Sequence, residues 1–263
     1  TLFRSRVRGS FALGIMFKDR PGVVYAARKD SPLIVGQNEG GAFIASDVPA
    51  ILSKTRDIYR LNDNEIAVIR REGVRIYDMD KELVPKEPIH VEWDVSAAEK
   101  GGYEHFMAKE IMEQPKAVRD TLSPRIQNGR IVLDNITLTA EQLKTFKKIF
   151  VACGSAYHVG MVAKYVLEKM TRIPVEVDLA SEFRYREPII DEEVLVLVIS
   201  QSGETADTLA AMREAKRLGA RTLSIVNVVG SSIANESDDV IYTWAGPEIA
   251  VATTKAYSTQ LIA

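Results

Sequence analysis

Three hydroxyls fall within the six residues Ser200-Gln201-Ser202-Gly203-Glu204-Thr205. They close Val194–Ser200, a near-continuous apolar run that reads as a strand covered on both faces. A helical pattern follows over residues 205–218, closed by Gly219. Such a strand–turn–helix sets side-chain hydroxyls beside unpaired backbone N–H groups and the positive end of a helix dipole, a setting that suits a phosphate. Gly203 lets the backbone turn close to a ligand, and Gln201 supplies both a donor and an acceptor. The turn holds no Lys or Arg, which favours a sugar phosphate over a nucleoside triphosphate, and no GxxxxGK[ST] is present. The plainer reading is a capped helix without a ligand, with Ser202 as N-cap and Thr205 as a helix-terminal hydroxyl.

A second turn has the same design. Cys153-Gly154-Ser155-Ala156 links a strand-like segment, 148–153, to a helical one, 156–170. Gly154 permits close approach and Ser155 carries a hydroxyl. A third turn, residues 245–255, also joins a strand to a helix; Val251 and Ala252 are placed to pass a sugar through their backbones. Thr253 is the expected N-cap there, and Lys255 reads as a solvated first-turn residue. Cys153 ends a buried strand and reads as a small hydrophobe. His158 reads as a half-buried histidine, and its spacing from Cys153 does not suit a nucleophile pair. His90 and His105 have no companion ligands, so no metal site is expected.

The elements that carry these turns define the fold. Segments 148–153, 175–179, 194–200, 222–226 and 240–243 alternate with helices, which predicts an α/β domain with a doubly wound parallel sheet. The first ninety residues differ. Apolar segments 10–17, 23–27, 33–35, 42–45, 65–70 and 74–78 are separated by turns such as Asp19-Arg20-Pro21-Gly22, which predicts hairpins and a mainly antiparallel sheet. Asp47, with Pro49 behind it, is expected to cap a short helix over residues 50–52. Residues 85–102 read as a linker, followed by a helix over 103–122 that Pro115 should break or kink. These shifts predict units at residues 1–92, 93–125 and 126–263.

Composition excludes other classes. With 34 basic and 36 acidic residues the net charge is −2, giving no footprint for nucleic acid. The apolar fraction is 46%, ordinary for a globular protein, and no apolar run approaches the roughly 18 residues of a membrane span. One cysteine allows no internal disulfide and fits a reducing, cytoplasmic setting. Both ends read as cut: Thr1 is not a Met, and residues 256–263 stop inside a helical pattern.

The segments CGSAYHVG (153–160), ASEFRYR (180–186), SQSGETADTL (200–209), NVVGSSI (227–233) and AGPEIAVATTKAYSTQL (245–261) together resemble the first sugar-isomerase (SIS) subdomain of the glutamine–fructose-6-phosphate aminotransferase family. EKGGYEHFMAKEIMEQP (99–115) resembles that family's interdomain join, and RGSFAL (8–13), KDSPLIVG (29–36) and IASD (44–47) resemble the later half of its glutaminase domain. The resemblance implies an N-terminal-nucleophile (Ntn) type glutaminase piece of β-rich α+β fold ahead of the SIS sheet. It implies an enzyme that frees ammonia from glutamine and uses it to turn fructose 6-phosphate into glucosamine 6-phosphate, without metal or redox cofactor. The expected oligomer is a homodimer or larger, with no nucleic-acid or membrane partner.

By matched position, Ser155, Ser200, Gln201, Ser202 and Thr205 would hold the sugar phosphate, with Val251 and Ala252 touching the sugar through backbone. Family members commonly carry Thr-Ser where this chain has Ser155-Ala156, so Ala156 lacks one hydroxyl. The family's catalytic Cys, Glu, His and Lys match no position here, so no catalytic residue is expected, and the chain alone should bind sugar phosphate weakly without turnover. Thr1 as an N-terminal nucleophile is disfavoured, because TLFRSRVRGS does not resemble the family's N-terminus. Two other readings compete. A phosphosugar-sensing SIS module predicts a neighbouring basic DNA-binding helix pair; a plain phosphosugar isomerase needs no glutaminase-like front.

Overall fold

In the first half of the chain, alternating apolar residues between turn signals fold into hairpins. The computed structural model describes residues 7–48, 50–91, 99–133, 135–154 and 156–263, and separates two units, Thr1–Glu99 and Lys100–Ala263. The first unit contains β1 (Phe11–Met16), β2 (Val24–Lys29), β3 (Ile34–Asn38), β4 (Gly41–Ala45), β5 (Asp57–Arg60), β6 (Ile66–Arg70), β7 (Gly73–Tyr77) and β8 (Ile89–His90). They form two antiparallel sheets of order β1-β2-β6-β7 and β4-β3-β5-β8. Ala26, Ala67, Ile69 and Ile76 of the first sheet share one buried cluster with Leu33, Val35 and Leu61. Ile34 and Ile58 point the other way, onto Val48, Ile51 and Leu52. That period of two is what a sheet buried on both faces requires.

Residues 50–54 form turns rather than the expected short helix. Asp47 still accepts a bond from the Ala50 N–H (3.1 Å), but the chain must bend at once into β5, where the Thr55 hydroxyl oxygen accepts from the Asp57 N–H (3.0 Å). Pro49 lies outside the described residues.

The second unit opens with α1 (Phe106–Leu122) and a 3-10 turn (Ser123–Arg125). There follow β9 (Ile126–Gln127), β10 (Arg130–Ile131), α2 (Ala140–Leu143), β11 (Lys148–Cys153), α3 (Tyr157–Thr171), β12 (Val175–Leu179), α4 (Ala180–Phe183) and β13 (Val194–Ser200). The chain ends with α5 (Ala206–Arg217), β14 (Arg221–Val226), α6 (Ser232–Glu236), β15 (Asp239–Tyr242) and α7 (Lys255–Ile262). Strands β12-β11-β13-β14-β15 form a parallel sheet in that order. Val194, Val196 and Val198 bury one face with Phe183, Leu209 and Met212 from α4 and α5, while Leu195 and Ile199 bury the other with Val159 of α3. The sheet is therefore doubly wound, as the apolar run of β13 predicts.

Pro115 does not break α1, which runs unbroken through it. Proline cannot donate to the carbonyl of Ile111, and the Gln114 side chain donates there instead (3.1 Å). The helix begins at Phe106 rather than Tyr103. None of the helices among the described residues is long and apolar enough to cross a membrane.

Candidate functional site

The strand order decides where ligands belong. From β11 the chain goes to β12 on one side, then returns to β13 on the other, so the order reverses between β11 and β13. Crevices at the carboxyl ends of strands flanking such a point are the usual binding places of open α/β sheets. The turns after β11 and β13 both lie there, since Cys153 pairs in register with Ile199.

The turn after β13 is tightly built. The buried Ser200 Oγ accepts a hydrogen bond from the Gly203 N–H (3.1 Å) and lies 3.2 Å from Thr205 Oγ1. One hydroxyl hydrogen bridges that pair, which leaves the other to donate elsewhere. Ser202 Oγ accepts from the Glu204 N–H (3.2 Å), so its own O–H is available as a donor. Thr205 is the N-cap of α5 but makes no side-chain cap bond, and the helix's first internal bond runs from the Leu209 N–H to the Thr205 carbonyl (2.9 Å). The N–H groups of the first turn thus meet the turn's hydroxyls at the positive end of a 12-residue helix. Asp207 would oppose an anion, but Arg184 pairs with it (3.2 Å).

Gly203 has φ +66°, and a Cβ there would stand 2.0 Å from Ser231 Oγ. Only glycine fits between the turn and α6. Glu204 accepts bonds from the N–H (2.9 Å) and hydroxyl (2.8 Å) of Ser232, which holds the turn against the start of that helix.

Gly154 brings the β11 turn against the same place. A Cβ on it would lie 3.8 Å from Thr208 Oγ1 and 3.9 Å from Thr205 Cγ2. Thr208 is fully buried in the first turn of α5, with its hydroxyl unpartnered. Ser155 lies outside the described residues. Ala156 is the N-cap of α3; its methyl is buried in the apolar cluster beneath the sheet, so only its backbone can face a ligand. His158 is exposed, not half-buried, with its ring edge against Tyr157. Among the described residues, no group of three or more His, Cys, Asp and Glu is placed to hold a metal.

Asn227, at the end of β14, laces the first turn to the third. Its N–H donates to the Gln201 carbonyl (3.1 Å), and its side-chain amide donates to the Gly246 carbonyl (2.7 Å). Its Oδ1 accepts from the Ala245 N–H (2.8 Å) and the Thr243 hydroxyl (3.2 Å). Val251 is fully exposed beyond this point, next to the exposed Ala252. Thr254, not Thr253, is the N-cap of α7. Lys255 is not solvated: it is buried, with Nζ 2.6 Å from Glu113 Oε2 on α1. Its partner lies 142 residues earlier, beyond the reach of local pattern.

Two carboxylates that leave no local signal in the sequence hold the third turn. Glu110 of α1 accepts from the Ile249 N–H (2.7 Å), the Ala250 N–H (3.0 Å) and the Thr254 hydroxyl (2.8 Å). Glu248 accepts from the Ala256 N–H (2.8 Å) and Thr254 N–H (3.2 Å). Burial pushes the Glu248 pKa above the usual carboxylate range; the amide bonds oppose this and the nearby Glu110 charge adds to it. Asn227 carries one usable signal, a polar residue ending a buried strand at the ligand rim.

Residues 144–263 match the model of the SIS domain family. This part of the chain is similar to SIS domains. The matched residues and those before them are 64% identical, over 260 residues, to the glutamine–fructose-6-phosphate aminotransferase [isomerizing] of Clostridium acetobutylicum, and 62% identical to that of Caldanaerobacter subterraneus. In both cases the match covers 98% of this chain and 43% of the relative's length. Among solved structures, the C-terminal domain of glucosamine-fructose-6-phosphate aminotransferase from Francisella tularensis superposes with a TM-score of 0.59 at 44% identity, over 62% of this chain and 47% of that one.

Proposed function

We propose that the SIS domain holds the phosphate of fructose 6-phosphate, and of the product glucosamine 6-phosphate, for a glutamine-dependent aminotransferase. The observation that carries this reading is the turn at the sheet's switch point. Ser202 and one of the Ser200–Thr205 pair offer hydroxyl donors there beside the uncapped N-terminus of α5, with Gly154 of the neighbouring turn against Thr205 and Thr208. A dianionic phosphate suits such a nest of donors, and the absence of Lys and Arg from the turn suits a ligand that must leave again. The identity to aminotransferases that use glutamine and fructose 6-phosphate supports the sugar.

In this reading Ser155 and the Ala156 backbone complete the phosphate site, Gln201 contacts it, and Val251 and Ala252 meet the sugar through backbone. Residues 1–92 act as the later part of a glutaminase domain, 93–125 as the join, and 126–263 as the SIS subdomain. The working protein is a cytoplasmic homodimer or larger oligomer, supplied with ammonia from glutamine. No residue of this chain is assigned a bond-making role.

Calorimetric titration of the chain with fructose 6-phosphate tests the assignment. Removing one hydroxyl donor to a charged oxygen costs about 1.5–3 kcal/mol, so Ser202→Ala should weaken binding about tenfold or more. Equal affinities for the two proteins would remove Ser202 from the site.

A further inference from the structure

Glu110 lies in α1, ahead of the residues matched to the SIS family, and is 2% exposed. A buried carboxylate is costly to desolvate unless its oxygens are satisfied. Here they are satisfied by the adjacent N–H groups of Ile249 and Ala250 and by the Thr254 hydroxyl. Those groups bracket Val251 and Ala252. One carboxylate bound to two successive amides fixes the backbone between the strand end and the exposed segment. The same face of α1 secures the start of α7: Glu113 pairs with Lys255, and Gln114 accepts from the Ser258 hydroxyl (2.5 Å).

We propose that Glu110 is a positioning residue, which reaches across from α1 to hold the Val251–Ala252 backbone in the shape that meets a sugar. The inference rests on the sugar-phosphate reading above. It assigns recognition of the sugar, as distinct from its phosphate, to a helix outside the SIS match.

The test titrates the chain and three variants with fructose 6-phosphate and with inorganic phosphate, and follows exchange of the Ile249 and Ala250 amides. Glu110→Ala, and Glu110→Asp with its shorter reach, should raise exchange at both amides at least tenfold. They should weaken fructose 6-phosphate about tenfold and leave phosphate affinity within twofold. Glu110→Gln, which keeps an acceptor oxygen at full reach, should restore most of both; a role in stability alone would not produce that selectivity. Unchanged exchange in Glu110→Asp, or raised exchange with unaltered fructose 6-phosphate affinity, overturns the proposal. If the unaltered chain binds neither ligand, the sugar-phosphate reading fails, and the exchange rates decide the clamp by themselves. Should Glu110→Ala not fold, the Asp and Gln pair decides.

Discussion

Gly203 joins two constraints, a left-handed φ and contact with Ser231. Gly203→Ala should therefore cost about 2–4 kcal/mol, combining backbone strain and overpacking. Adding Ser231→Gly removes the atoms a methyl would strike, so the double variant should recover the overlap part and keep the strain. Urea midpoints of the three proteins measure this, and a Gly203→Ala protein as stable as the parent would contradict the geometry. The hydroxyls of this turn are legible in the sequence because strand, turn and helix are consecutive. Their internal bonding is not: Ser200 reads as a ligand group, yet its oxygen first accepts the Gly203 amide and shapes the turn.

At the scale of elements, Asn227 carries the connection between the turns after β13, β14 and β15. Asn227→Ala would leave the Gly246 carbonyl, the Ala245 amide and the Thr243 hydroxyl without this partner. A loss of about 2–3 kcal/mol is expected if water reaches some of them, read as a lower urea midpoint. For α1, Pro115→Ala should add about 1–2 kcal/mol, because it restores the missing donor within a helix already continuous. A drop in midpoint would show that the ring packs usefully. Strands β11, β13 and β14 are readable from their apolar runs, and the hairpins from their turn residues. Strands β5 and β8 are not, since they are short and only Ile58 and Ile89 are aliphatic. The persistence of α1 through Pro115 depends on a neighbouring glutamine, and the burial of Lys255 on a helix far away in sequence; neither leaves a periodic trace.

For the second unit as a whole, acid and base act on opposite groups. Burial raises the pKa of Asp238 and Asp239, but hydrogen bonds from Lys216 and Thr222 to the first, and from Arg221 and Thr137 to the second, bring both below the ordinary carboxylate value. Their contribution is present above about pH 3.9 and is lost as pH falls through the folded values. Glu248 has the opposite sign: raised by burial, it withdraws stability as pH rises through its folded value. Asp239→Asn should flatten stability against pH on the acid side, and Glu248→Gln on the side nearer neutrality, in urea melts between about pH 3 and pH 7. The clamp on α1 also has a consequence for biosynthesis. Glu110 meets its partners 139, 140 and 144 residues downstream. At roughly 5–20 residues per second a ribosome needs on the order of 10–30 s to deliver them. Throughout that interval the nascent helix keeps a carboxylate-bearing face without its mate, so a segment translated later locks one translated well before it.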